Sequence, residues 1–164
     1  MATFEQYLAF NGDEIKQRQL EIYQNTQLSA FAQKAISAIK REQHWLLMAE
    51  PRCPDCLVFV PFVQKMAELN PLIKLRYLSR QDYQDRALFD NDEQQRIVIE
   101  THNIPSLFHI DQAKTEVIVR EYPTFLIQQM DNSPDQIDTL RQAYRNNEFA
   151  EQIENELTQI FTTQ

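Results

Sequence analysis

The two cysteines of this chain, Cys53 and Cys56, are its residues best suited to chemistry. They are the only cysteines among 164 residues, and chance would place such a pair three apart about one time in eighty. An apolar run over 44–49, typical of a buried strand, precedes them, and helix-forming residues follow. The N-terminus of a helix favours a thiolate. Because one sulfur can reach the other, the pair is predicted to close and open its own disulfide.

The residues around Cys53 are expected to tune its reactivity. Arg52 directly precedes this cysteine and should favour the thiolate, whereas Glu50 and Asp55 should oppose it. Pro54 has no N–H group to leave unpaired and suits the first helical turn. The sequence leaves open which charges dominate. By its position at the helix tip, Cys53 is predicted to be the more exposed thiol with the lower pKa, and the second cysteine to be buried.

Composition excludes several other classes of function. The only glycine is Gly12, so the chain has no glycine-rich phosphate loop and no dinucleotide fingerprint. The net charge is −8 without a basic stripe, so a nucleic-acid partner is not expected. No targeting signal is visible at residues 1–5, and the longest nearly apolar run, Cys56–Val63, is too short to span a membrane. We therefore expect a cytoplasmic protein with no membrane partner.

The first half of the chain is expected to be mostly helical. Residues 3–42 are rich in helix-forming residues, and Thr3 with Gln6 resembles a capping box. A helix over 54–69 should follow the cysteines, with an interruption at Pro61. The buried strand before the cysteines would therefore lie between two helical regions.

The second half of the chain contains further strands and helices. A polar helix is expected over 81–95 with a break at 90–92, and residues 96–100 fit either a strand or the end of a helix. Ser133 should cap the next helix with Pro134 at its first position, and the C-terminal residues should be helical. Strands are expected at 72–79, 106–111 and 116–122, the last two joined as a hairpin by a polar turn at 111–114.

This order of elements predicts an α/β fold with a mixed central sheet. Alternating strands and helices require a parallel pair, and the hairpin adds antiparallel strands. We expect about four strands with helices on both faces of the sheet. Residues 1–43 are expected to be a helical N-terminal extension packed on a domain of residues 44–164, which would be a single globular unit.

The segment Leu46–Cys56 resembles the active-site strand and turn of thioredoxins. Pro61 lies where thioredoxins carry a proline in the active-site helix, and Asn103–Phe108 resembles their segment with a cis-proline, here Pro105, beside the CxxC. The resemblance covers roughly residues 44–160. It is closest to small bacterial cytosolic thioredoxin-like proteins with a CPDC motif and a helical N-terminal extension, and it implies the thioredoxin-like fold.

The chain departs from thioredoxins near the cysteines. Ala49 and Arg52 stand where thioredoxins place tryptophans, and Leu47 takes the place of a buried Asp on the active-site strand. That Asp is associated with proton transfer to the second cysteine, so Cys56 lacks its usual proton acceptor. Helix also occupies the N-terminus, where thioredoxins have their first strand.

The resemblance implies a thiol–disulfide oxidoreductase. Cys53 would attack a protein disulfide and Cys56 would resolve the mixed disulfide. The backbone of Ile104, next to Pro105, would pair with an extended substrate. No bound cofactor is implied, and the partners would be protein disulfides and a reductase or a low-molecular-weight thiol. The alternative is a thioredoxin-fold redox-sensing or binding module with little turnover.

Two other roles for the cysteines compete with redox chemistry. A zinc site would need four ligands, and only His44, His102 and His109 remain, none of them in a second close pair, so no metal is expected. The cysteines could also be an inert buried pair, since free cysteine packs as a small apolar residue. His109 lies inside a predicted strand and is expected to face solvent.

Overall fold

A four-stranded mixed sheet lies at the centre of the protein. The computed structural model describes residues 1–111 and 114–164. The strand order is β2-β1-β3-β4, with β1 parallel to β2 and antiparallel to β3, and β3 antiparallel to β4. This is the sheet that the sequence predicts. The strands are β1 (Gln43–Met48), β2 (Ile73–Leu78), β3 (Ser106–Asp111) and β4 (Lys114–Arg120).

Helices surround this sheet. The α-helices of the described residues are α1 (Phe4–Leu8), α2 (Asp13–Asn25), α3 (Ala30–Ser37), α4 (Pro54–Glu68), α5 (Asp92–Thr101), α6 (Thr124–Asn132), α7 (Ile137–Arg145) and α8 (Ala150–Thr162). Short 3₁₀ turns occur at Arg86–Leu88 and Pro134–Gln136. The helix predicted to break at Pro61 runs through that residue as one element, α4. No helix in the described part of the chain is long and apolar enough to cross a membrane.

Strand β1 is a central strand of the sheet, and helices cover both of its faces. Successive side chains of a strand point to opposite faces. Trp45 and Leu47 therefore pack in the larger core, which α1, α3, α4 and α8 cover. Leu46 and Met48 pack in the smaller core, which α5 covers. All four side chains are almost completely buried, and this strand leads directly into the cysteine turn.

The N-terminal helices pack tightly against the rest of the chain. The predicted capping box of Thr3 and Gln6 is present at the start of α1. Helix α2 contacts α4, and α3 contacts α8. Ala2 forms an antiparallel bridge with Tyr77 of β2, and the rings of Tyr7 and Tyr77 stack with centroids 4.7 Å apart. The region predicted to be helical, 3–42, thus forms three helices that contact the sheet and its helices.

The region between β2 and α5 differs from the predicted helix over 81–95. It consists of turns and a 3₁₀ turn, and the helix begins only at Asp92, after the predicted break. Asn91 caps this helix by accepting a hydrogen bond from the backbone N–H of Gln94. Residues 96–100 continue the helix rather than forming a strand, because Val98 fills the smaller core from the helical side.

Ser133 lies at the predicted N-cap position with Pro134 directly after it, but the element that follows is a 3₁₀ turn leading into α7. Ser133 ends α6, its side chain makes no capping hydrogen bond, and the following helix begins only at Ile137. The sequence analysis also missed α6. The first N–H groups of α6 are capped by Glu156 of α8, which accepts from Thr124 at 2.6 Å and from Phe125 at 3.1 Å. A cap supplied from so far along the chain leaves no local sequence signal.

The predicted hairpin forms between β3 and β4, and its turn residues 112 and 113 lie outside the described residues. The prediction that His109 faces solvent is wrong. His109 is buried against Trp45, with ring centroids 4.7 Å apart, and burial lowers its pKa. Helix α8 brings Phe161 onto the same tryptophan ring and helps to close this face of the sheet.

Candidate redox site

The two cysteines lie at the junction of β1 and α4. The strand ends at Met48, a turn follows, and Cys53 is the N-cap residue of α4. Its sulfur accepts a hydrogen bond from the backbone N–H of Cys56 at 3.4 Å. Both cysteines are free thiols; Cys53 is half-buried and Cys56 is fully buried. The site therefore has one accessible sulfur and one sulfur inside the core, as the position of each on the helix predicts.

The pKa values of the two thiols are shifted in opposite directions. Hydrogen bonds from the side chain and backbone of Cys56 lower the pKa of Cys53, against burial and the charge of Asp55. Burial raises the pKa of Cys56 well above its ordinary value, and Cys53 adds to that shift. Arg52 is exposed and is not among the main causes of either shift. The accessible sulfur is thus the one that ionises more readily.

The segment before β3 lies beside Cys53. The Ile104–Pro105 peptide bond is cis. The carbonyl oxygen of Ile104 accepts a hydrogen bond from the sulfur of Cys53 over 3.9 Å. The fold therefore brings Cys53, a predicted catalytic residue, into contact with Ile104, a predicted substrate-binding residue.

A groove of about 500 Å³ runs along this contact. Its lining includes Cys53, Pro54, Ile104, His102 and Glu121. Arg52 and Arg80 also line it. An extended peptide placed in this groove would lie against the accessible sulfur.

Glu50 is a buried carboxylate held by neutral donors. It is 1% exposed. Asn11 donates to Oε2 at 3.0 Å, and Oε1 accepts from the hydroxyl of Ser79 at 2.7 Å and the backbone N–H of Arg80 at 3.0 Å. The side-chain oxygen of Asn11 also accepts from the backbone N–H of Arg52 at 3.1 Å. The loop between α1 and α2 therefore anchors the cysteine turn, a role that the sequence analysis missed.

Asp55, between the cysteines, is a second buried carboxylate and is paired with a cation. Arg145 contacts it through two hydrogen bonds, from Nε to Oδ1 at 2.8 Å and between Nη2 and Oδ2 at 2.9 Å. The hydroxyl of Tyr122 donates to Oδ2 at 3.2 Å and accepts from Nε of Arg141 at 3.1 Å. Arg145 and Tyr122 were missed by the sequence analysis because they lie far along the chain.

Two tyrosines close the inner side of the site. Tyr7 and Tyr144 are fully buried. Burial raises the pKa of both hydroxyls well above the usual range, and the nearby thiol of Cys56 adds to each shift. The ring of Tyr144 packs edge-on against Tyr122, with centroids 5.4 Å apart. The buried sulfur thus lies near two buried tyrosines and is shielded from solvent.

Within residues 1–111 and 114–164, no group of three or more His, Cys, Asp or Glu side chains is arranged to hold a metal ion. The two cysteines therefore lack the further ligands that a structural zinc site requires. Nothing in the described part of the chain favours the zinc alternative for this pair.

Comparisons with known proteins agree with this fold. The sequence model of the family described as thioredoxin matches residues 1–136. The chain belongs to the thioredoxin family. The match begins at residue 1 and so includes the N-terminal helices. No curated protein matches the chain.

Two solved structures are similar to this thioredoxin-family protein in fold. One is a protein of unknown function from Pseudomonas aeruginosa, with 20% sequence identity, a TM-score of 0.69, and coverage of 97% of this chain and 90% of that chain. The other is an HIV epitope-scaffold, with 19% identity, a TM-score of 0.71, and coverage of 99% and 93%. At such identities the likeness concerns the fold alone.

Proposed function

We propose that this protein is a thiol–disulfide oxidoreductase that reduces or exchanges protein disulfides through Cys53 and Cys56. The observation that carries the proposal is the asymmetry of the pair. Cys53 is accessible with a lowered pKa, and Cys56 is buried with a raised pKa. Disulfide exchange needs one thiolate that can attack and a second thiol that waits in reach.

The reaction proceeds in two steps. The Cys53 thiolate attacks one sulfur of the substrate disulfide, and the other substrate sulfur leaves as a thiolate and takes up a proton. Cys56 then loses its proton and attacks the sulfur of Cys53, which releases the second substrate thiol. Two electrons pass to the substrate, and the protein is left with a Cys53–Cys56 disulfide. A reductase dithiol or a low-molecular-weight thiol restores the reduced pair.

The groove beside Cys53 supports a protein substrate. Ile104 and Pro105 are the proposed substrate-binding residues: an extended peptide can form main-chain hydrogen bonds with the backbone of Ile104, which lines the groove together with Pro54. Arg52 and Asp55 are proposed to tune the site, and the reaction is proposed to occur in the cytoplasm without a bound cofactor. Disulfide-containing proteins and a reductase are the proposed partners.

The alternative is a redox-sensing or binding module with little turnover. Two observations favour it: Cys56 is completely buried near two buried tyrosines, and Leu47 stands where thioredoxins have an Asp. A thiol that ionises poorly resolves a mixed disulfide slowly. In such a module Cys53 would react once and the closed disulfide would persist.

Insulin reduction with dithiothreitol separates these functions. The oxidoreductase should accelerate the precipitation of reduced insulin over many turnovers, and Cys53→Ser should abolish the effect. Incubated with insulin in the absence of dithiothreitol, Cys56→Ser should retain the first attack but trap the mixed disulfide, which a non-reducing gel shows. A wild-type protein that reacts once per molecule and then stops would contradict the oxidoreductase and support the sensing module.

A further inference from the structure

Asp55 places a buried negative charge between the two cysteines. Its side chain is almost fully buried, and its charge opposes the hydrogen bonds that lower the pKa of Cys53. A nearby like charge disfavours a thiolate, and burial strengthens the effect because little water screens it. The groups that neutralise Asp55 are therefore expected to influence the fraction of Cys53 that is ionised at a given pH.

Arg145 neutralises Asp55 with a two-point contact. It is the last residue of α7, and its Nε and Nη2 bind the two carboxylate oxygens at 2.8 and 2.9 Å. Tyr122 contributes a third donor to the same carboxylate at 3.2 Å. A two-point guanidinium–carboxylate contact fixes geometry as well as charge. The contact joins residues 90 positions apart, so the C-terminal part of the chain controls a charge in the cysteine turn.

We propose that Arg145 and Tyr122 are positioning residues that neutralise and fix the carboxylate of Asp55, so that Arg145 sets the reactivity of Cys53 through Asp55 rather than by touching it. Whether this effect of Arg145 on Cys53 also changes the rate of turnover rests on the proposed function. The reactivity of Cys53 itself can be measured whether or not protein disulfides are the substrates.

Many charged groups face Cys53 and Asp55, so the test must change only the pair of Asp55 and Arg145. Among the described residues, Arg145 is the one cation that forms an ion pair with Asp55. The other titratable or charged groups nearby are Glu50 and Arg52 on the turn, Cys56 on α4, Arg80 after β2, His102 after α5, Glu121 and Tyr122 after β4, Arg141 and Tyr144 on α7, and Tyr7 on α1.

The test is the pH profile of Cys53 alkylation by iodoacetamide, measured in a Cys56→Ala background together with thiolate absorbance. Arg145→Gln leaves Asp55 charged and uncompensated, so the pKa of Cys53 should rise and alkylation near neutral pH should slow roughly tenfold. Asp55→Asn should lower the pKa and speed the reaction. The double variant should return close to the parent, because the charge that Arg145 compensates is gone.

Arg96→Gln is the matched control, because it removes an arginine and its exposed ion pairs on α5 without contact with the site. It should leave the profile unchanged. An unaltered profile in Arg145→Gln would overturn the proposal, and so would an equal slowing by Arg145→Gln in the Asp55→Asn background, since Arg145 would then act without Asp55.

A buried carboxylate without a partner destabilises a fold, so Arg145→Gln is checked by urea unfolding. If it does not fold, Arg145→Lys and the double variant carry the test. Lysine keeps the charge but not the two-point contact, so it should keep most of the pH profile, and a slowing of alkylation as large as tenfold would contradict the proposal. The wild type could fail in the insulin assay while Arg145→Gln still slows Cys53 alkylation only when Asp55 is present. That result would contradict the proposed function but not the role of Arg145.

Discussion

The two sides of the cysteine turn hold their buried carboxylates in different ways. On the N-terminal side, Glu50 is surrounded by neutral donors from Asn11, Ser79 and a backbone N–H. On the C-terminal side, Asp55 is paired with Arg145. Neutral donors leave the negative charge of Glu50 uncancelled but stabilise it and fix the backbone around it, whereas a cation cancels the charge of Asp55.

This difference assigns two separate duties to the two sides. The donors of Asn11, Ser79 and Arg80 form a cradle around Glu50. This cradle joins the α1–α2 loop, the turn after β1 and the turn after β2, so it is expected to matter for stability. Asp55 lies inside the CxxC, so its pair with Arg145 is expected to matter for the reactivity of Cys53. Substitutions on the two sides can test this difference. Changes around Glu50 should lower the free energy of unfolding, whereas changes around Asp55 should alter the pKa and reactivity of Cys53.

The largest effect is expected from Glu50→Ala. The substitution leaves the buried hydroxyl of Ser79 and the partly buried donors of Asn11 and Arg80 without their acceptor, and an unpaired buried donor costs about 1–3 kcal/mol. Part of this cost is offset because the buried charge is also lost, so the free energy of unfolding in urea should fall by about 3 kcal/mol.

Glu42→Ala is the control for this prediction. Glu42 forms an exposed pair with His44, so its removal should change stability by less than about 0.5 kcal/mol. Equal losses in Glu50→Ala and Glu42→Ala would show that the cradle does not support the fold.

A smaller effect is expected from Asn11→Ala, which cuts the link between the α1–α2 loop and the cysteine turn. Two hydrogen bonds are lost, one to the carboxylate of Glu50 and one from the backbone of Arg52. The free energy of unfolding should fall by about 1–2 kcal/mol. Gln17→Ala, on the exposed side of α2, is the control. Because Asn11 and Glu50 share a hydrogen bond, their substitutions should be less than additive, and full additivity would argue against the link.

The parts of the site that the sequence predicts are the local ones. Cys53 and Cys56 are neighbours on one helical turn, and a buried strand followed by a helix can be recognised from consecutive residues. The resemblance to thioredoxins added Ile104 and Pro105, because that segment carries its own motif.

The parts that the sequence does not predict depend on contacts between distant residues. Asn11 reaches Glu50 across 39 positions, and Arg145 reaches Asp55 across 90. The carboxylate of Glu156 caps α6 from another helix, so a helix was missed for the same reason. An isolated Asn or Arg on a helical segment is normally a solvated residue, and only the packed fold shows that these ones are not.

The smallest effect is expected from Arg52→Ala. Arg52 belongs to neither carboxylate site, so this variant tests whether an exposed neighbouring charge matters as much as the buried pair. Arg52 is next to Cys53 in sequence and was predicted to favour its thiolate, yet its side chain is exposed and is not among the main causes of the lowered pKa of Cys53. Solvent and salt screen an exposed charge, whereas the contact of Arg145 with Asp55 is partly shielded. The pKa of Cys53, followed by thiolate absorbance, should therefore rise by only a small part of the change caused by Arg145→Gln, and the residual shift should disappear at high salt. An equal or larger rise in Arg52→Ala would reverse this order and make the exposed neighbour, not the buried pair, the group that sets the thiolate.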